Sequence, residues 1–566
     1  MRQPRYRRVV PTLPTLLLLL TVPGGLGVSS ATAAEPDTKT QAAIDALFTE
    51  YDRWDRPGLS LAVVRDGKLF YARGYGCANL EYSIPITPAT IFHVASVSKQ
   101  FTCFAIVLLA EEGKLSLDDD VRKHLPELPD FGMPVTLRQL MNHTSGVRDQ
   151  WELLALAGWR LDDVITRDHI MKMMRRQREL NFPPGSEHLY SNMGYTLLAE
   201  VVEKVSGTSL REFAEARIFK PLGMTHTHFH DDHEEIVPNR AYSYSKRGEG
   251  YQKRVLSYAN VGATSLFTTV EDMARWLANF ESPKVGTKKT IETMQGRGKL
   301  TSGETIDYAL GLSHGTYRGL HVIGHGGADA GFRSQVVRFP EHGLGIVVLG
   351  NFRELDPRGQ AMKVAELLLA DHLEPEQKKE QPAAERIELP VEKLEQFAGK
   401  YALDNGVTAA IEVSDGRLLA KIPDTPQVEL VPTAEKEFFI KELGAHVTFA
   451  EPGDDGPQAL TAEVGGETIK GRRVTDAESA APDLAPLAGR YYSPELETVY
   501  DIVVDGNALI ARHQRHGDIR LTHRTGDQFG GDEWFFGRVE FDREQDKVSG
   551  FRVSGGRVRN LRFQRQ

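Results

Sequence analysis

The sequence predicts an α/β chain, more narrowly α+β. A large N-terminal domain carries one antiparallel sheet flanked by helices with a helical insertion, and two small antiparallel β-barrels follow it. Three observations carry this. Apolar runs of strand length stand at Leu59–Tyr75 and again at Val322–Leu349, with helical periodicity between them. The last third repeats itself at a spacing of about 90 residues. At 566 residues and 40% apolar composition, the chain is too long for one ordinary domain and apolar enough to be mostly folded.

Residues 1–33 read as a signal peptide. Arg2, Arg5, Arg7 and Arg8 precede an apolar run centred on Leu16–Leu20, and Ala31-Thr32-Ala33 is a small-residue cleavage site. Pro11, Pro14 and Pro23, with Gly24 and Gly25, break the run short of the roughly 20 residues of a membrane span. The expectation is an exported protein, periplasmic or extracellular, with no membrane span after cleavage. Cleavage removes four arginines and no acid, so the mature chain is more acidic than the formal −10 of the whole sequence. No basic stripe is visible, which argues against nucleic acid as a partner. With only Cys77 and Cys103, disulfides do not hold the fold together, and two separately buried thiols are expected.

The domain spanning 34–373 opens with a short helix over 34–50. Leu59–Val64 and Leu69–Tyr75 then flank Arg65-Asp66-Gly67-Lys68, an Asp-Gly hairpin signal. Ile91–Ala95 is a third extended piece. It delivers the chain to Ser96, where a helix should begin that buries Phe101, Phe104, Leu108 and Leu109 and stops at Gly113. Trp151–Arg176 carries helical periodicity. Met193–Ser206 is a helix ended by Gly207, and Ser209 with Glu212 forms a capping box for the next. Ser265–Phe280 is another helix, entered through Thr269. Val322–Gly327, Phe332–Phe339 and Leu344–Leu349 read as successive strands, and Arg358–Leu373 as a closing helix. Residues 374–390 form a polar linker. Phe397-Ala398-Gly399-Lys400-Tyr401 then recurs as Leu487-Ala488-Gly489-Arg490-Tyr491, placing one barrel at 391–477 and a second at 483–566.

The chemistry begins at Ser96 and Lys99. Three residues apart on one helix face, a hydroxyl and an amine can touch, and partial burial makes the lysine a base. Ser243-Tyr244-Ser245-Lys246 repeats the spacing without an apolar helix behind it. Tyr190-Ser191-Asn192 supplies a phenol to relay a proton and an amide to hold a substrate amide. Tyr258-Ala259-Asn260 repeats that pattern in a Gly-containing link. His325-Gly326-Gly327 stands on a strand where glycines let a substrate backbone lie along the sheet edge.

Ser-x-x-Lys, then Tyr-x-Asn, then His-x-Gly on a late strand resembles the penicillin-recognising serine hydrolases. These include class C β-lactamases, DD-peptidases, D-aminopeptidases and related esterases. The resemblance runs through Pro57-Gly58-Leu59, Asn142-His143-Thr144-Ser145-Gly146, Pro184-Gly185 and Gly331-Phe332-Arg333-Ser334, over roughly residues 40–370. It implies a serine β-lactamase/DD-peptidase-like fold and an acyl-enzyme mechanism. Ser96 would be the nucleophile, Lys99 its base, and Tyr190 the second proton-transfer group. Asn192 would hold the acyl side, and His325 would complete the polar wall with Gly326 and Gly327. The oxyanion hole would be the backbone N–H groups of Ser96 and Ala328, donors worth about 3 kcal/mol each. No cofactor and no metal are implied.

One departure narrows the substrate. Class C β-lactamases carry lysine and threonine where this chain has His325 and Gly326, so the usual grip on a substrate carboxylate is missing. Arg333 is the nearest replacement cation. The resemblance therefore implies D-amino-acid peptides or amides, with a short-chain esterase or weak β-lactamase as the alternative. A peptidoglycan-fragment binding protein without turnover is the reading from another class. D-aminopeptidases of this group resemble the two-barrel architecture, in which one barrel sends a loop into the cleft. Here that loop would come from the second barrel, near Arg512–Asp518; the other reading makes the barrels spacers or wall-binding modules. His226, His228 and His230 alternate along an apparent strand and raise a zinc site as a competing feature, without a His-Glu-x-x-His motif.

Overall fold

The computed structural model describes residues 36–375, 386–404, 407–422, 425–450, 458–464, 467–475 and 482–566. The expected signal peptide and most of the linker lie outside these residues. In chain order, the elements that build the first domain are α1 (Thr38–Leu47), β1 (Leu59–Arg65), β2 (Lys68–Tyr75), α2 (Lys99–Glu111), α3 (Gln150–Leu156), α4 (Asn192–Ser206) and α5 (Val270–Glu281). They are followed by β3 (Ser313–Tyr317), β4 (Leu320–Asp329), β5 (Phe332–Phe339), β6 (Leu344–Gly350) and α6 (Pro357–Leu368).

The six strands form one antiparallel sheet in the order β3-β4-β5-β6-β1-β2. Its central strands are buried on both faces, which is why they read as unbroken apolar runs rather than alternating ones. On β1, Leu61 and Val63 face one core with Ile44 of α1, Phe48 just after it, and Val364 and Ala365 of α6. Ala62 and Val64 face the other, with Phe101, Phe104 and Trp276 from α2 and α5. Period-2 side-chain alternation thus sorts one strand between two helical layers.

Several elements differ from expectation for local reasons. β3 was not foreseen, because Ser-His-Gly-Thr-Tyr has no apolar run to mark it. The periodic stretch Trp151–Arg176 divides into α3 and a helix over Arg167–Met174, which takes its own capping box from Thr166 and His169. Leu266–Thr268 is a strand, and α5 begins only after the Thr269 hydroxyl caps Asp272. α6 stops at Leu368. Cys77 and Cys103 are both free and buried.

Each C-terminal repeat closes into an eight-stranded antiparallel barrel, over 399–474 and 489–565. The repeat has a physical content. Tyr401 donates its hydroxyl to Phe397 O at 3.0 Å, and Tyr491 donates to Leu487 O at 2.8 Å. The glycines precede strands that pack against arginines: a Cβ on Gly399 would lie 2.6 Å from Arg473 Nε, and one on Gly489 would lie 3.2 Å from Arg565 Nε.

The barrels differ in their partners. The first has its own core around Phe397, Tyr401, Phe438 and Phe449. The second barrel's core is continuous with that of the first domain. There Arg148, 2% exposed, donates to Glu495 Oε2 at 2.9 Å and to Arg559 O at 3.0 Å. Removing one partner of a buried ion pair costs about 3–5 kcal/mol, because the other charge is left uncompensated. Arg148→Ala should therefore lower the thermal stability of the full chain, with hydrogen exchange rising first in residues 555–560.

Candidate active site

Ser96 sits in a tight 3-10 turn, Ala95–Ser98, ahead of α2 rather than on α2 itself. Ala95 holds a left-handed φ of 48°, a costly conformation for a residue with a Cβ. The turn is fixed from several sides. Ser98 Oγ donates to Ala95 O at 2.6 Å and accepts from Leu266 N at 3.0 Å, and Ser334 Oγ donates to Val94 O at 2.8 Å. Gly327 lets β4 close on the turn, since a Cβ there would lie 2.3 Å from Val94 O. In a 3-10 turn residues i and i+3 eclipse, so the Ser96–Lys99 spacing works even more directly than on a helix.

Lys99 is fully buried. Its Nζ donates to Ser96 Oγ at 3.2 Å, to Asn192 Oδ1 at 2.8 Å and to Ala263 O at 2.7 Å. Burial lowers its pKa to about 7, against the opposing pull of Asp329 and Asp149. A neutral fraction therefore exists near neutral pH, as a base must have.

Tyr190 is shifted the other way. Burial raises its pKa, although Ser96 and the Arg557 guanidinium favour the phenolate. Its hydroxyl, buried above the site, makes no settled hydrogen bond. The Lys99 ammonium lies 4.9 Å from the centre of its ring. One group is thus ready to accept a proton while its neighbour retains one, the separation that divides base from acid.

His325 is a neutral imidazole. Burial, with Lys99 nearby, lowers its pKa to about 4. Its Nδ1 contacts Gly326 O at 2.6 Å and its Nε2 contacts the Tyr308 hydroxyl at 2.8 Å. A carbonyl only accepts, so Nδ1 carries the proton and Nε2 accepts from Tyr308. Both nitrogens are used within the protein, and no cation stands at this position. Asn192 bridges Lys99 to Asp149, giving its backbone N–H and its Nδ2 to Asp149 Oδ2 at 2.8 and 2.7 Å.

Ser96, Tyr190, Asn192, His325, Gly326, Gly327, Ala328 and Arg333 all line one cavity of about 460 Å³, with Lys99 beneath its floor. Arg333 spends its NH1 on Phe332 O at 2.7 Å. The two decoys fall elsewhere. Ser243 and Lys246 lie on a surface hairpin with Lys246 exposed, and Asn260 turns away to Thr196 Oγ1.

The cleft-entering loop does come from the second barrel, but not from Arg512–Asp518. That segment rests on the back of α3, with His516 Nε2 on Ala155 O at 2.7 Å and Arg515 paired to Asp163. The loop that reaches the cavity is 555–560. Arg557 lines it and holds its guanidinium 4.8 Å over the Tyr190 ring. Its backbone N–H donates to Glu152 Oε2 at 2.6 Å, and its carbonyl accepts from Asn181 Nδ2 at 2.9 Å. Burial raises the Glu152 pKa to about 8.

Arg557, Asp149, Tyr308 and Glu152 were not foreseen. Asp149 could have been found as an N-cap, since its Oδ1 accepts from Trp151 N at the start of α3. Gly555-Gly556-Arg557 carries no such signal. The histidine cluster also changes membership. His228, His230 and Glu235 bring their ligand atoms within 4.8 Å of one another, while His226 is not among them. Both Glu235 oxygens take hydrogen bonds from Arg211, at 2.6 and 2.7 Å.

The beta-lactamase family model matches residues 44–371, more than half the chain. The chain belongs to the beta-lactamase family. Residues 383–473, the first barrel, match a domain of unknown function, DUF3471. The chain is 29% identical over 421 residues to penicillin-binding protein 4* of Bacillus subtilis, covering 71% of this chain and 92% of that one. It is 26% identical over 547 residues to a D-aminopeptidase of Gluconobacter oxydans, covering 93% and 98%. Among solved structures it resembles the octameric penicillin-binding protein homologue from Pyrococcus abyssi. That match has a TM-score of 0.54 and 26% identity, and covers 76% of this chain and 99% of that one. Family and fold together make this family member a serine hydrolase.

Two outcomes check the site. If Lys99 is the base, the rate at which a fluorophosphonate labels the protein should rise with pH through an apparent pKa near 7. Gly327→Ala should slow labelling at least tenfold, since its Cβ would push β4 off the serine turn; mass spectrometry reads both.

Proposed function

We propose that this protein hydrolyses D-amino-acid peptides or amides through an acyl-enzyme on Ser96. The observation that carries the reading is Lys99, buried, close to neutral and within reach of Ser96 Oγ at 3.2 Å. Lys99 takes the Ser96 proton as Oγ attacks the substrate carbonyl. The Ser96 and Ala328 N–H groups receive the developing oxyanion, and Tyr190 passes a proton to the leaving amine, drawing its replacement from Lys99. Water then attacks the ester with the same groups in reversed roles, returning Ser96 and releasing the acid.

The substrate class rests on three supports. His325 is neutral and internally bonded, so the fixed cation that grips a β-lactam carboxylate is absent from that position. Asp329, one residue past Ala328, lines the cavity and has an oxygen beyond the one held by His93 and Thr264, where an α-ammonium would lie. The Gluconobacter oxydans relative that matches both domain types is named a D-aminopeptidase. Export belongs to the same proposal and rests on residues 1–33 alone.

D-alanine p-nitroanilide, a short-chain p-nitrophenyl ester and nitrocefin, assayed side by side, test this. The anilide should be turned over fastest, and Ser96→Ala and Lys99→Ala should each cut its rate by at least about a thousandfold. Turnover of nitrocefin alone would overturn the substrate assignment. No adduct on Ser96 with any substrate or with penicillin would overturn hydrolysis itself.

A further inference from the structure

A second cavity of about 460 Å³ opens beside the first and shares Ala328, Asp329 and Arg333 with it. Its direction follows from β4. Tyr190, the donor to the leaving group, stands by His325 near the middle of that strand, with ring centres 6.3 Å apart. The second cavity lies beyond the strand's far end, past Ala328, and is lined by neither Tyr190 nor His325. With the carbonyl carbon on Ser96 and the leaving group towards Tyr190, the acyl portion points into it.

Its walls are strongly cationic. Arg160, Lys253, Arg254, Arg333 and Arg353 line it, against Asp162 and Asp329. Both acids have partners of their own. Asp162 accepts two hydrogen bonds from Arg160, at 2.9 and 2.7 Å, and Asp329 is held by His93 at 2.9 Å and by Thr264. The other four cations form no direct ion pair among the described residues, although Asp162 attracts Arg254, and Asp329 and Glu354 attract Arg333, from a distance. Arg254 Nε donates to Ser245 Oγ at 2.9 Å, Arg333 donates to Phe332 O, and Lys253 stands 4.4 Å over the Tyr242 ring. Arg333 and Arg353 lie close enough to repel, and that repulsion adds to burial in lowering the Arg333 pKa. The adjacent Glu354 accepts from the Lys246 backbone N–H and attracts Arg333, but does not line the cavity. Cations that outnumber the carboxylates around a cavity five to two are relieved by a bound anion.

We propose that this cavity is an acyl-side subsite for a carboxylate, so that preferred substrates carry an anionic group on the acyl portion, as an acidic D-residue does. The proposal rests on the hydrolase reading for its direction but not for its test. On the Ser96→Ala full-length protein, calorimetry compares the α-amide of D-glutamate with D-glutamine amide, a pair alike in shape and differing in one charge. The acidic ligand should bind at least about tenfold tighter, an advantage that narrows between about 0.05 and 0.5 M salt. Arg353→Gln should reduce the preference to about threefold or less, and Arg353→Lys should restore most of it. Equal affinity, tighter binding of the neutral ligand, or an undiminished preference in Arg353→Gln would each overturn the subsite. Parallel turnover by the wild-type protein separates the two proposals. Cleavage of the neutral amide without any acidic preference sinks the subsite and leaves the hydrolase standing. Acidic preference in binding, with no adduct on Ser96, does the reverse.

Discussion

Everything at the site depends on keeping one lysine amine out of water. Lys99 enters α2 from below the cavity and is enclosed by Tyr190, Tyr195, Asn192 and the chain at Ala263. Burying an ammonium is costly unless it is partnered, and here the partners are two neutral oxygens and a serine hydroxyl rather than a carboxylate. Asp149 and Asp329 act only at a distance, enough to temper the shift without holding the proton on. A carboxylate in direct contact would have made Lys99 a permanent cation.

That requirement explains the surroundings. Asn192 faces two ways because its oxygen must accept from Lys99 while its amide satisfies Asp149. The sheet supplies rigidity. β4 sits between β3 and β5, and its Gly327 brings strand and serine turn into contact that a Cβ would prevent. Strain at Ala95 is held in place by hydrogen bonds from Ser98 within the turn and from Ser334 on β5.

The second barrel is part of the site rather than an appendage. Its core merges with that of the first domain, and a buried ion pair fixes its orientation. Its 555–560 loop then carries a cation to the Tyr190 ring. The first barrel keeps a core of its own. Two copies of one sequence repeat have thus taken different positions, which follows from what each packs against and not from the repeat.

The sequence alone determined the helix that carries Lys99, the antiparallel sheet, both barrels and the identity of Ser96, Tyr190, Asn192 and His325 as neighbours in one cavity. The elements were legible because they rest on local signals, namely apolar periodicity, Gly turns and caps, whereas the grouping of the four residues came from the resemblance of their motif order to a known family. Tertiary structure decided what distance along the chain conceals. Asp149 and Asn192 are 43 residues apart, and Arg148 and Glu495 are 347. Which barrel loop enters the cleft, which histidine nitrogen carries the proton, and whether a cavity is anionic or cationic all depend on packing. Side chains with no periodic or turn signature, Arg557 and Arg353 among them, acquire a role only from the walls around them.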